Sequence, residues 1–190
     1  MKNKNTILIC VSLLLMISCK TAEFGFDTFD ICGMIYDFSG RPVPFYNISL
    51  GNKLKITTDI NGRFVFPKVP AGKYTIIGSK KGYEVFIDDI IINDGRQIIY
   101  IRTSSQEQLL EMIDDALSRN DINEAEKILE RAFRIDHNNI EMLFYSAVVN
   151  YRRKNYEKAV YFLEYAKNLG FRDIYIDKFL KSLKEIQNDV

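Results

Sequence analysis

The sequence predicts an α+β chain built as two modules in series. An all-β antiparallel sandwich of about seven strands occupies residues 29–103, and an all-α array of about five helices, arranged as helical hairpins, occupies 104–190. Three observations carry this. Residues 29–103 hold short β-rich runs separated by glycine- and proline-bearing turns, the pattern of a small sandwich. Residues 104–169 contain neither glycine nor proline, and their apolar residues recur at three and four. Two stretches of that second region also align at a constant offset of 34 residues.

Ahead of both modules lies a leader. Lys2 and Lys4 precede 13 largely apolar residues, Thr6 to Ser18. As a helix that run reaches roughly 20 Å, against a hydrocarbon core of about 30 Å, so it is too short to span comfortably. A basic start, a short apolar run and small residues behind it describe a secretory signal peptide. The run closes on Met16, Ile17, Ser18 and Cys19, which resembles the lipobox of bacterial lipoproteins. The resemblance implies cleavage after residue 18, lipidation of Cys19 and a tether over 19–28. Two or more acyl chains hold a protein stably on a membrane where one does not. Lys20, in place of an aspartate, is expected to favour the outer over the inner membrane.

In the first module the expected strands are the runs DICGMIY, VPFYNISL, KLKITTD, RFVFP, KYTIIGSK, EVFIDDIII and QIIYIRT. Tyr46, Ile48 and Leu50 should share one face, as should Phe64 and Phe66, while Leu54 and Ile56 alternate with lysines. Asp94-Gly95 reads as a hairpin turn, and DINGR, residues 59–63, as another, with Asp59 and Asn61 bonding local backbone. The calcium-loop reading of Asp59, Asn61 and Gly62 lacks the further oxygen ligands it needs. Cys32 is expected as a small packed residue without a disulfide partner, because Cys10 leaves with the leader and Cys19 is acylated. Gly33, Asp37, Gly40 and Pro42, then Asp59, Gly62, Phe64, Phe66, Pro70, Gly72, Tyr74 and Gly82-Tyr83, are similar to the carboxypeptidase regulatory-like domain, a transthyretin-like sandwich. That resemblance implies a fold and no chemistry.

In the second module capping boxes are expected at Ser104 with Glu107, Asp121 with Glu124, and Asn138 with Glu141. Ala125, Leu129 and Ala132 recur as Ala159, Leu163 and Ala166, each offset by 34. Small residues there let helices approach closely. The pattern resembles tetratricopeptide repeats, although the usual tryptophan, leucine-glycine and tyrosine signature and the closing proline are missing. The resemblance implies a groove lined by the first helix of each pair, which takes a protein or peptide partner. Its positions are Glu107, Leu110, Asp114, Leu117 and Ser118, then Glu141, Phe144, Val148, Tyr151 and Arg152. Packing of Phe144, Val148 and Tyr151 against the closing helix or the sandwich is the competing expectation. Arg152, Arg153 and Lys154 read as a solvated helix end. Two repeats and one helix fall short of the three or so needed for independent stability, so the helices are expected to dock on the sandwich or to stack on a second copy of the chain.

Charge narrows the function. Residues 19–103 hold 11 basic and 9 acidic side chains, and 104–190 hold 13 and 16, so neither module has the basic excess of a nucleic-acid binder. The sole histidine, His137, excludes a two-histidine zinc site within the chain and leaves no histidine-based triad outside a polar turn. No phosphate-binding glycine loop or dinucleotide fingerprint occurs, and no cofactor is implied. The expectation is a non-enzymatic envelope lipoprotein whose helices recruit a partner. A sandwich that binds carbohydrate or another surface ligand is the alternative.

Overall fold

The computed structural model describes residues 27–188. The expected leader 1–18, the expected lipidation site Cys19 and the expected tether up to residue 26 lie outside the described residues. Seven strands come first: β1 (Thr28–Tyr36), β2 (Asn47–Leu50), β3 (Leu54–Thr57), β4 (Arg63–Pro70), β5 (Gly72–Ser79), β6 (Phe86–Ile92) and β7 (Ile98–Arg102). Five helices follow: α1 (Gln106–Ser118), α2 (Ile122–Phe133), α3 (Ile140–Arg152), α4 (Tyr156–Asn168) and α5 (Ile174–Asn188).

The strands form two sheets, ordered β4-β1-β7 and β3-β2-β5-β6. Alternating residues meet between them. Tyr46, Ile48 and Leu50 are buried, as are Phe64 and Phe66 from the opposite sheet, the latter two in edge-to-face contact at 5.7 Å between ring centroids. Gly33 is required where β1 passes beneath Phe64, because an added Cβ would lie 2.1 Å from that ring and 2.6 Å from the Ile99 carbonyl. Leu54 and Ile56 pack more loosely at the β3 edge.

Several local expectations need correction. The Asp94-Gly95 turn is no hairpin: it carries the chain from β6 in one sheet to β7 in the other, where β7 pairs with β1 in parallel while every other strand pairing is antiparallel. A parallel neighbour cannot be reached by a two-residue turn between paired strands. DINGR likewise crosses between sheets. The Asp59 carboxylate accepts the N–H groups of Asn61 and Arg63 at 2.8 Å each, so the bonding is that of a local turn without a hairpin. The expected strand RFVFP runs on to Pro70, leaving Ala71 alone before β5 begins at Gly72. Cys32 is exposed, on the outward side of β1 opposite Val65 and Ile98, because Ile31 and Ile35 take the inward positions.

In the helical module α1 packs on α2, α3 on α4, and α5 on α4. Ala125, Ala132, Ala159 and Ala166 are fully buried, and Leu129 and Leu163 fill the space beside them. Asn120 and Lys154, 34 apart, both hold left-handed φ angles, of 60° and 61°, just past the ends of α1 and α3. The first and third caps sit one residue later than expected. Ser105, not Ser104, forms the capping box of α1, with Gln108, and Asn139, not Asn138, caps α3. Ser104 is committed elsewhere, its hydroxyl accepting from Arg131 at 3.3 Å, and Asn138 accepts from the Tyr165 hydroxyl at 2.7 Å.

The two modules are clasped together by the β5–β6 connection and the β7–α1 connection. Glu84 N–H donates to the Ser104 carbonyl, Gln106 N–H donates to the Gly82 carbonyl, and Tyr83 bridges to Ser105. The Glu84 carboxylate accepts two hydrogen bonds from Arg131 of α2, at 2.9 and 2.8 Å, while its carbonyl accepts the Tyr46 hydroxyl at 2.6 Å and the Thr103 hydroxyl at 3.2 Å. A second contact brings Gln108 of α1 to Ser39 at 3.2 Å. Ser39 belongs to a loop closed by Asp37, which accepts from the Arg41 backbone at 2.8 Å and from its guanidinium at 2.9 Å. The helices therefore dock on one end of the sandwich.

Burial alone would raise the Glu84 carboxyl, but the hydrogen bonds and charge of Arg131, with Ser104 and Arg134 adding, hold it below the ordinary glutamate range. The pair is partly solvent-screened on the Arg131 side, which is 33% exposed. Glu84→Gln removes the charge and keeps the shape, so at neutral pH it should cost about 1–3 kcal/mol, less than a fully buried pair. A folded value below the unfolded one gives stability that is complete above the unfolded carboxylate range, about 4.3, and is lost as pH falls through the folded value. Urea unfolding of both proteins should show a gap that closes on acidification; a gap independent of pH would refute the assignment.

Candidate functional site

A cleft of about 600 Å³ opens within the helical module. Three elements build its walls. Leu110, Glu111 and Asp114 lie on α1, where the 3.6-residue period that buries Leu109 and Ile113 turns these neighbours outward. Ile140, Glu141, Phe144 and Tyr145 come from the first turns of α3, whose entry is set by the Asn139 side chain accepting from Met142 N–H at 2.9 Å. Phe171, Asp173, Tyr175 and Ile176 close the third side at the start of α5. There the Asp173 carboxylate accepts the Tyr175 N–H at 2.6 Å, satisfying a free amide of the helix start.

The floor is apolar and the rim is acidic. Phe144 is held from behind by Phe179 of α5, edge to face at 6.4 Å, and by Tyr145 at 6.1 Å. The Tyr145 hydroxyl donates to Asp114 at 3.3 Å. Partial burial raises the Tyr145 phenol, and the negative charges of Asp114 and Glu141 push it further the same way. None of Glu111, Asp114, Glu141 and Asp173 is ion-paired among the described residues.

The groove positions expected from the sequence divide sharply. Leu110, Asp114, Glu141 and Phe144 do line the cleft. Leu117 does not: it is buried in the core shared by α1, α2 and α3 and offers nothing to a partner. Val148 packs against that same core. Tyr151 meets Phe179 of α5 edge to face at 5.5 Å yet stays 41% exposed, outside the residues that line the cleft. Arg152 donates to the Leu117 carbonyl at 2.8 Å and to Asn120 at 3.3 Å, closing the end of α1. Its neighbour Arg153 pairs with Glu126 at 2.6 Å, so the basic cluster ties helix ends together and is not merely solvated. Glu111, Tyr145, Phe171, Asp173, Tyr175 and Ile176 were not anticipated. Glu111 and Tyr145 follow Leu110 and Phe144 directly, a signal the sequence carried, whereas the α5 wall depends on where the closing helix docks.

The cleft lining holds carboxylates and aromatic rings, with no histidine or cysteine among them. No cluster of three metal-ligating side chains occurs among the described residues, and none of their helices is long and apolar enough to cross a membrane. His137 is exposed in the turn between α2 and α3.

Residues 30–99 match the carboxypeptidase regulatory-like domain family, so the sandwich is a domain of that type; the match spans less than half of the chain. Among curated proteins no match is found. Solved structures with a similar part include 3-chlorocatechol 1,2-dioxygenase from Rhodococcus opacus 1CP, at 14% identity over 42% of this chain and 61% of that one, with a TM-score of 0.36. A type II cohesin–X-dockerin complex from Acetivibrio cellulolyticus is similar at 18% identity over 46% and 73%, with a TM-score of 0.37. A candidate carbohydrate-binding protein from Pseudomonas aeruginosa is similar at 14% identity over 41% and 90%, with a TM-score of 0.32. At these scores the likenesses carry no argument about activity.

The division between core and cleft can be measured. Leu117→Ala should cost about 2–4 kcal/mol by opening a cavity, whereas Tyr175→Ala, at a side chain 74% exposed, should change stability by less than about 0.5 kcal/mol. Chemical denaturation reads both, and equal costs would mean that the cleft wall is part of the core.

Proposed function

We propose that this chain, a carboxypeptidase regulatory-like sandwich clasped to five helices, is a non-enzymatic adaptor that captures a protein or peptide segment in the cleft between α1, α3 and α5. The carrying observation is the cleft itself: an open apolar floor with aromatic walls, on a scaffold of helices whose backs are fully packed. Such a concave, mostly apolar site with a few polar groups at its edge is the default form of a binding site. Reading the helices as tetratricopeptide-like pairs is supported by the buried alanines and the left-handed turn residues that recur at 34. The sandwich then serves as spacer or second binding surface. Export and outer-membrane anchoring through lipidated Cys19 complete the reading, and rest on the leader alone.

The glycan-binding alternative would use the outer face of the β3-β2-β5-β6 sheet, where Asn47, Ser49, Lys55, Thr57 and Ile77 line a shallow depression. That depression has no aromatic platform on which a sugar ring would stack, so the cleft is the stronger candidate.

Two experiments test the reading. A photo-reactive phenylalanine analogue placed at Tyr175 or Leu110 should yield a discrete covalent adduct in intact envelopes, and the same group at the exposed sandwich residue Ile60 should not. Absence of adducts at both cleft positions would remove the adaptor function. Independently, Cys19→Ala should abolish incorporation of labelled palmitate; wild-type incorporation would place any anchor elsewhere.

A further inference from the structure

We infer that the segment captured in this cleft is cationic: a stretch of chain that sets lysine or arginine side chains among the rim carboxylates and a neighbouring apolar side chain on the floor. This rests on the cleft being the binding site. The floor offered by Leu110, Ile140 and Phe144 is apolar and asks only for an apolar group. Selectivity must come from the rim. The four lining groups that carry charge at neutral pH, Glu111, Asp114, Glu141 and Asp173, are all carboxylates, and no lysine or arginine lines the cleft.

Their existing partners differ. Asp173 is offset by the amide it accepts at the start of α5, and Asp114 accepts one hydrogen bond from Tyr145. Glu111 and Glu141 are exposed and make no side-chain hydrogen bond or ion pair among the described residues. Elsewhere on the same helices carboxylates do find cations: Asp115 pairs with Arg119, Glu126 with Arg153, Glu164 with Lys184 and Asp177 with Lys167. Among the described residues Glu107, Glu130 and Glu157 elsewhere on the module are unpaired too; what sets the four rim acids apart is that they edge one apolar cleft with no basic side chain among its lining. An anionic segment would meet like charge on three walls. A cationic one gains charge-assisted hydrogen bonds there, and the faces of Tyr145, Phe171 and Tyr175 add cation–π attraction. A neutral apolar segment would fill the floor and leave the rim unused.

The probe is a fluorescent seven-residue peptide that alternates lysine or arginine with leucine and tyrosine. It is compared with the same peptide carrying glutamine, or glutamate, at each basic position. Anisotropy titrations use the full chain in detergent. The basic peptide should bind at least about tenfold more tightly than the glutamine form at low salt, and the advantage should shrink at high salt, where exposed charges are screened. The triple variant Glu111→Gln, Asp114→Asn, Glu141→Gln should erase the preference. Glu130→Gln, Glu157→Gln, Glu185→Gln, with the same change in net charge away from the cleft, should keep it; circular dichroism confirms that both remain folded. Equal binding of all three peptides, lost in Phe144→Ala, would overturn the cationic preference while leaving the cleft as a binding site. Failure of every peptide to bind, or a preference abolished equally by both triple variants, would overturn it as well, and the photo-cross-linking experiment then judges the adaptor function separately.

Discussion

Glu84 sits at the junction of the two modules, and each of its polar groups is engaged there. Its N–H reaches the chain leaving the sandwich, its carbonyl accepts two hydroxyls from the sandwich, and its carboxylate takes both arms of Arg131. Tyr46 is the reason this reaches so far. The ring is fully buried in the sandwich core and its hydroxyl emerges at the junction, so the position of Glu84 is referred to the packing of both sheets. A half-satisfied polar cluster at such a place would be worse than none. Among the described residues no buried side-chain polar atom is left without a partner.

The clasp determines what the helical module can be. It holds the entry to α1 and the last turn of α2, so that the first helical pair starts from a fixed edge and the rest stacks outward from it. Two pairs and a closing helix are few for an array of this kind. Docking on the sandwich supplies one terminal boundary, and α5 supplies the other by covering the α3–α4 pair with Ile176, Leu180 and Leu183. The same covering gives the cleft its third wall. The binding surface is therefore a consequence of how the array is closed rather than of any one repeat.

Much of this was legible in the residues. Period-2 alternation identified Tyr46, Ile48, Leu50, Phe64 and Phe66 as inward, because a sheet with one buried face leaves no other arrangement. The recurrence at 34 picked out the alanines that become the fully buried contacts between helices. Leu110, Asp114 and Phe144, expected on the groove from helical position, line the cleft. Leu117, Val148, Tyr151 and Arg152 show where that logic stops. They share a nominal face with the cleft residues, but a face several turns long is divided by what lands on it: α2 and α3 bury Leu117, Phe179 takes one edge of the still exposed Tyr151, and the end of α1 draws in Arg152.

By itself, the sequence determined the order of the modules and most of the residues that the strands and helices turn inward. These follow from local chemistry: side-chain periodicity, capping preference and run length act over a few residues. Tertiary structure alone decided that β7 joins β1 in parallel, that Cys32 faces outward, that Ser104 yields its capping role to Ser105, and that four carboxylates surround one apolar floor. Each of these depends on groups brought together from distant parts of the chain, where the need to satisfy buried polar atoms and fill the interior outweighs the local preference that a sequence pattern records.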